Sequence, residues 1–141
     1  MSDLVGVLAA RPTGDDLGAQ IAWIQQAIAS VDAAVADGSL EGGEAVATDL
    51  RASLGAIVAW GRGPRDGESL LQLQALISAL LGRATSTLYR ALATRWRAIA
   101  AAQVDDELDA AGLAAAFTRA AAAVEQGDEI PVDVVARLRR A

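Results

Sequence analysis

No cysteine, histidine, lysine or asparagine occurs in this chain of 141 residues. Without cysteine there are no disulfides, no thiolate catalysis and no structural zinc of the usual kind. Without histidine the chain lacks the commonest general base, the commonest transition-metal ligand and the usual group that titrates near neutral pH. The missing lysine makes all 12 basic residues arginines, so neither a Ser-His-Asp set nor its serine–lysine variant can be assembled. Long hydrophobic runs are missing too. The longest stretches without charge, 17–31 and 69–82, contain Gln and Ser and fall short of the ~18–20 residues that a membrane span needs.

What is abundant is alanine, about a quarter of all positions and far above ordinary usage. Together with arginine and glycine in place of lysine and asparagine, this reads as the coding bias of a GC-rich genome. The net charge of −6 repels nucleic acid and anionic lipid at long range, so such a partner would have to meet a local arginine patch. Met1-Ser2-Asp3 lacks a basic stretch and Arg11-Pro12 follows closely, which is not the pattern of a secretory signal. The expectation is a soluble protein without membrane contact, in the cytoplasm or within an assembled particle. Its length suits a single domain, 1–141, able to bury a real core.

Proline and glycine divide the chain into helical segments with almost no strand-like alternation. Leu17, Ile21, Ile24, Ile28, Val31 and Val35 recur at steps of four and three, the seam of a helix lying along a partner helix. A short segment over 3–10 precedes it. Thr13 and Asp16 form a capping box for the long helix, which runs to Asp37 and ends at Gly38. A second helix covers 44–60, and the glycine-rich stretch 61–67 is the expected hinge. A third helical region covers 68–103. There Leu73, Leu76, Ile77 and Leu80 centre about 90° from Leu81, Leu88, Leu92, Trp96 and Ile99 on a helical wheel, so a kink or turn is expected between Gly82 and Thr85. A fourth helix starts at Asp105 or Asp106 and ends at Glu125 before Gly127, with Leu113, Phe117, Ala120 and Val124 on one stripe; Pro131 opens a last short helix. The fold class is therefore all-α: a bundle of four to five principal helices with short N- and C-terminal helices.

Two constellations invite function. Opposite the aliphatic seam lie Trp23, Ala27, Ser30 and Ala34. An aromatic beside small residues either packs within the monomer or makes a subunit or partner contact. We take this face as the candidate protein interface. The alanines at 114–116 and 121–123 leave the fourth helix nearly uncharged, which self-association would also explain. The second constellation is a ridge of Arg83, Thr87, Arg90, Thr94 and Arg97, again at steps of four and three. It reads first as a solvated polar face, and otherwise as a docking ridge for an acidic protein or a phosphate contact; the chain's own carboxylates could also neutralise it.

The string Gly82-Arg83-Ala84-Thr85-Ser86-Thr87-Leu88-Tyr89-Arg90 resembles the turn and the start of the recognition helix in the helix-turn-helix of serine recombinases. The resemblance covers nine residues. It implies a first helix over 70–81, a turn at Gly82, and Ser86, Thr87, Tyr89 and Arg90 facing phosphates or base edges.

Asp105, Asp106, Glu107 and Asp109 fit the acidic start of a helix better than a metal site, because adjacent carboxylates on a helix do not converge. Gly61, Gly63 and Gly67 match no phosphate-binding pattern. No cofactor is expected and no enzyme. The sequence points to a structural or adaptor protein acting through helix–helix contacts, self-associating or part of a larger assembly such as a phage or other particle. The alternative is a DNA-binding regulator that uses 70–102.

Overall fold

The computed structural model describes residues 2–10, 12, 16–102 and 109–139. Among the described residues there are six helices and no strand: α1 (Ser2–Ala9), α2 (Leu17–Ala36), α3 (Gly43–Gly61), α4 (Gly67–Ala102), α5 (Ala110–Glu125) and α6 (Val132–Arg139). Local chemistry fixes their ends. Asp16 is the N-cap of α2 and accepts from the Ala19 N–H at 3.3 Å, so the helix opens later than a cap at Thr13 would place it; Thr13 itself lies outside the described residues. At the other end Gly38 takes φ +79°, Gly38 N bonds Val35 O and Ser39 N bonds Ala34 O. This pair of bonds uses two carbonyls that the helix end leaves without partners. Gly127 repeats the arrangement after α5, with Asp128 N on Ala123 O. Asp66 caps α4 by accepting from Ser69 N at 2.7 Å.

Consecutive helices pack on one another from α1 through to α6, and α6 touches α1. The short links at 37–42 and 62–66 make α2, α3 and α4 antiparallel neighbours. All six helices feed one hydrophobic cluster that includes Leu4, Ile24, Leu50, Leu92, Phe117 and Val134. Burying a residue such as Phe117 or Ile24 contributes roughly 1.5–3 kcal/mol, and exposed ion pairs contribute much less. Packing therefore holds the bundle together. The seam of α2 is graded, with Ile24 and Val31 fully buried and Leu17, Ile21, Ile28 and Val35 partly covered.

The middle of α4 is enclosed almost all round: Ala84, Thr85, Ser86, Leu88, Tyr89, Leu92 and Ala93 are buried, and Tyr89 packs on Phe117 of α5 with ring centroids 6.3 Å apart. Of the kink or turn expected between Gly82 and Thr85, the turn is absent: the helix runs on unbroken through these residues. The reason lies in Leu76 and Leu80. Counting both as core rotates the apparent stripe, whereas Leu76 is 48 % exposed and Leu80 only half-buried. Leu73, Ile77, Leu81 and Leu88 make the buried stripe, and it continues through Gly82 without a turn. At 1.5 Å per residue α4 is about 54 Å long, against 19 residues in α3 and 16 in α5.

Among the described residues no helix is long and apolar enough to cross a membrane.

Candidate functional site

Trp23 is internal. The residue is 6 % exposed, and its indole N–H donates to the Val7 carbonyl of α1 at 2.7 Å, a bond buried inside the chain. Ala27 and Ala34 are buried as well, and Ser30 is half-buried. The face expected to receive a partner is thus occupied by the protein's own helices. The small residues let them approach closely, and α2 is apolar on two sides because it is covered on two sides. The same applies to the alanine-rich fourth helix of the sequence reading. Ala114, Ala116, Ala121 and Ala123 of α5 are buried in the chain itself, while Ala115 faces out.

The ridge on α4 is real in its spacing, but the chain's own groups hold it. Arg83 donates through Nε and Nη2 to the two oxygens of Asp49 on α3, at 2.8 and 2.7 Å. Arg90 grips Glu125 of α5 in the same two-pronged way, at 2.6 Å for both bonds, and the Ser86 hydroxyl adds a third at 2.7 Å. Arg97 donates to Thr118 Oγ1 at 3.3 Å, and Thr94 bonds back to the Arg90 carbonyl. Thr87 is half-buried between them. The Arg90 guanidinium, then the Ser86 hydroxyl, holds the Glu125 carboxyl down at about 2, and the carboxylates raise Arg83 and Arg90 above the usual guanidinium value. Planar guanidinium matched to planar carboxylate fixes direction as well as charge. These pairs tie α4 to α3 on one side and to α5 on the other.

The helix-turn-helix arrangement is not formed, because residues 70–102 belong to a single helix. Ser86 and Tyr89 are buried and Arg90 is engaged with Glu125, so these side chains do not present a free recognition surface. Of the acidic group, Asp105, Asp106 and Glu107 lie outside the described residues. Asp109 precedes α5 in a left-handed conformation and accepts from Arg137 at 3.4 Å. Among the described residues no group of three or more acidic side chains is placed to hold a metal ion. Where α1 to α4 meet, Val7, Trp23, Val31, Leu50, Ala84 and Leu88 help to line a cavity of about 10 Å³. That is no more than one water-sized void and far below the ~300–1,000 Å³ of a small-molecule site.

Two features escaped the sequence reading. Arg95 points away from the ridge and donates to the Ser39 carbonyl, clasping the α2–α3 link beside Asp37. Its place on the inner side of α4 follows from the wheel angle it shares with Ile77 and Leu88, a signal hidden by the three ridge arginines around it. The second is the outer side of the first half of α4, where Leu71 is 68 % exposed and Leu76 48 %. Gln72, Ala75, Ser78 and Ala79 are exposed beside them. With the Trp23 face internal and the arginine ridge engaged, this charge-free stretch is the candidate interaction surface. Comparison with protein-family models, with curated proteins and with solved structures gives no match to this chain.

Proposed function

We propose that this protein is a non-enzymatic helical bundle that acts through helix–helix protein contacts, as a structural or adaptor component that associates with copies of itself within a larger assembly. One observation carries the reading: an exposed helix face without a single charge from Ser69 to Gly82, bearing Leu71 and Leu76. Outward faces of helices normally carry charge, and loss of charge with gain of apolar side chains is the signature of a contact surface. The residue inventory supports a non-enzymatic role, since histidine, cysteine and lysine are lacking and Arg83 and Arg90 are paired within the bundle. Nucleic acid is the less favoured partner, because the net charge is −6 and two of the ridge's three arginines are already neutralised by the chain's own carboxylates.

The test is the solution mass. Light scattering across a concentration series should rise above the 14.4 kDa of one chain, and the rise should persist at high salt, which would abolish a contact made chiefly of exposed charges. A mass fixed at one chain over the whole series would overturn the self-association.

A further inference from the structure

The uncharged face on α4 has two charged ends. On a wheel of 100° per residue, Ser78, Leu71, Ala75, Glu68, Ala79, Gln72, Arg83 and Leu76 follow one another around an arc of about 160°, and all eight are exposed. This arc lies opposite the buried stripe of Leu73, Ile77 and Leu81. Within it the first residue along the helix is acidic, the last is basic, and nothing between them carries charge.

A helix face with acid at one end and base at the other is complementary to itself when one copy is turned end for end. Laid antiparallel so that Glu68 meets Arg83 of a second copy, the face pairs Gln72 with Ala79 and Ala75 with Leu76 of that copy. Both charged contacts form at once, and the small side chains of Ala75 and Ala79 allow the helices to come close while Leu71 and Leu76 close over the sides. A parallel pairing would set Glu68 against Glu68 and Arg83 against Arg83. Arg83 is free to serve in this way although it already grips Asp49, because the pair uses only its Nε and one Nη2 hydrogen and its side chain is 66 % exposed.

We propose that the outer face of α4 between Glu68 and Arg83 is a two-fold, self-complementary docking surface on which a second copy of this chain lies antiparallel, centred between Ala75 and Leu76. The inference rests on the self-association reading above and names the surface and the register. The strip is about 22 Å long and one helix wide, which gives a few hundred Å² per partner. Stable interfaces bury ~800 Å² per partner, so this contact belongs to the weak class and fills at roughly 0.1–1 mM, or at lower concentration where an assembly supplies further contacts.

The chain has no cysteine of its own, so single cysteines report the register directly. Under mild oxidation Ala75→Cys should cross-link to itself. A mixture of Gln72→Cys and Ala79→Cys should give the mixed dimer in several-fold excess over either self-pair, because like positions sit about 10 Å apart along the axis, beyond the ~7 Å reach of a disulfide. Leu76→Glu, at an exposed position, should return the light-scattering mass to one chain with an unchanged melting curve. If the wild type associates but Leu76→Glu associates equally, or if Gln72→Cys links to itself as well as to Ala79→Cys, the docking surface or its direction is wrong while self-association stands. A wild type that stays at the mass of one chain up to 1 mM overturns both.

Discussion

Replacing Trp23 by phenylalanine keeps most of the ring's apolar bulk but removes the indole donor from the Val7 carbonyl, which keeps only the Ala10 N–H at 3.2 Å. Losing one buried hydrogen bond whose acceptor keeps another donor costs about 0.5–1.5 kcal/mol, so Trp23→Phe should lower the unfolding free energy by that amount in urea titration and loosen α1 first. Gly43 makes the opposite kind of demand. A Cβ there would stand 2.6 Å from Val35 Cγ2 and 2.9 Å from Leu40 Cδ2. Leu40 is itself buried, so Gly43→Ala should destabilise by about 1–3 kcal/mol through overpacking, measured in the same titration. The composition shows a large ring beside small residues on α2 and shows that chemistry is scarce. It does not show which neighbour covers that ring, because the decisive contact, Trp23 to Val7, joins residues 16 apart across a link whose path the sequence leaves open.

At the scale of elements, Gly82 separates two accounts of α4. A Cβ at Gly82 meets nothing within 4 Å, and the residue sits inside a continuous helix. Alanine there should raise stability by roughly 0.5–1 kcal/mol, whereas a residue in the turn of a helix-turn-helix would resist it; urea or thermal melts of Gly82→Ala decide the matter. Gly38, at φ +79°, should show the reverse, with Gly38→Ala lowering the melting temperature. The helix ends were legible because glycine, proline and aspartate mark them through short-range chemistry. The continuity of α4 was not, since a wheel cannot tell a leucine that faces the core from one that faces out. Counting Leu76 as core suggested a break in the helix, and the same residue, half-exposed, marks the candidate surface. The arginine ridge was legible as a stripe. Its partners Asp49 and Glu125, 34 and 35 residues away, depend on tertiary packing that spacing alone does not encode.

For the molecule as a whole, acid should weaken the fold by a modest amount, since the carboxylates concerned are exposed. Glu125, Asp37, Asp66 and Asp133 all have carboxyl groups held below their usual values by Arg90, by Ser39, by Ser69 and by Arg119 respectively. A group whose folded value is depressed contributes stability above its unfolded value, and that contribution fades as pH falls through the folded one. For Glu125 the window runs from 4.5 down to about 2. The melting temperature should therefore be level near neutral pH and fall below about pH 4.5. Glu125→Gln should melt lower at pH 7 and lose less on acidification, as a pH series of thermal melts would record. The all-α class was readable at this scale because periodicity and punctuation agree along the chain. The closure of α6 onto α1 was not, for it joins the two ends through contacts between short helices.

The neighbours of α4 dress it unevenly. Its central turns, 84–93, are wrapped on both sides by α3 and α5, while its first turns are covered on one side only. Amide protons along this one rod should exchange with deuterium at graded rates, slowest in the middle and faster toward either tip. A continuous helix would then behave as a rigid axle with two looser ends, and anything bound to the outer tip would slow exchange there without touching the centre.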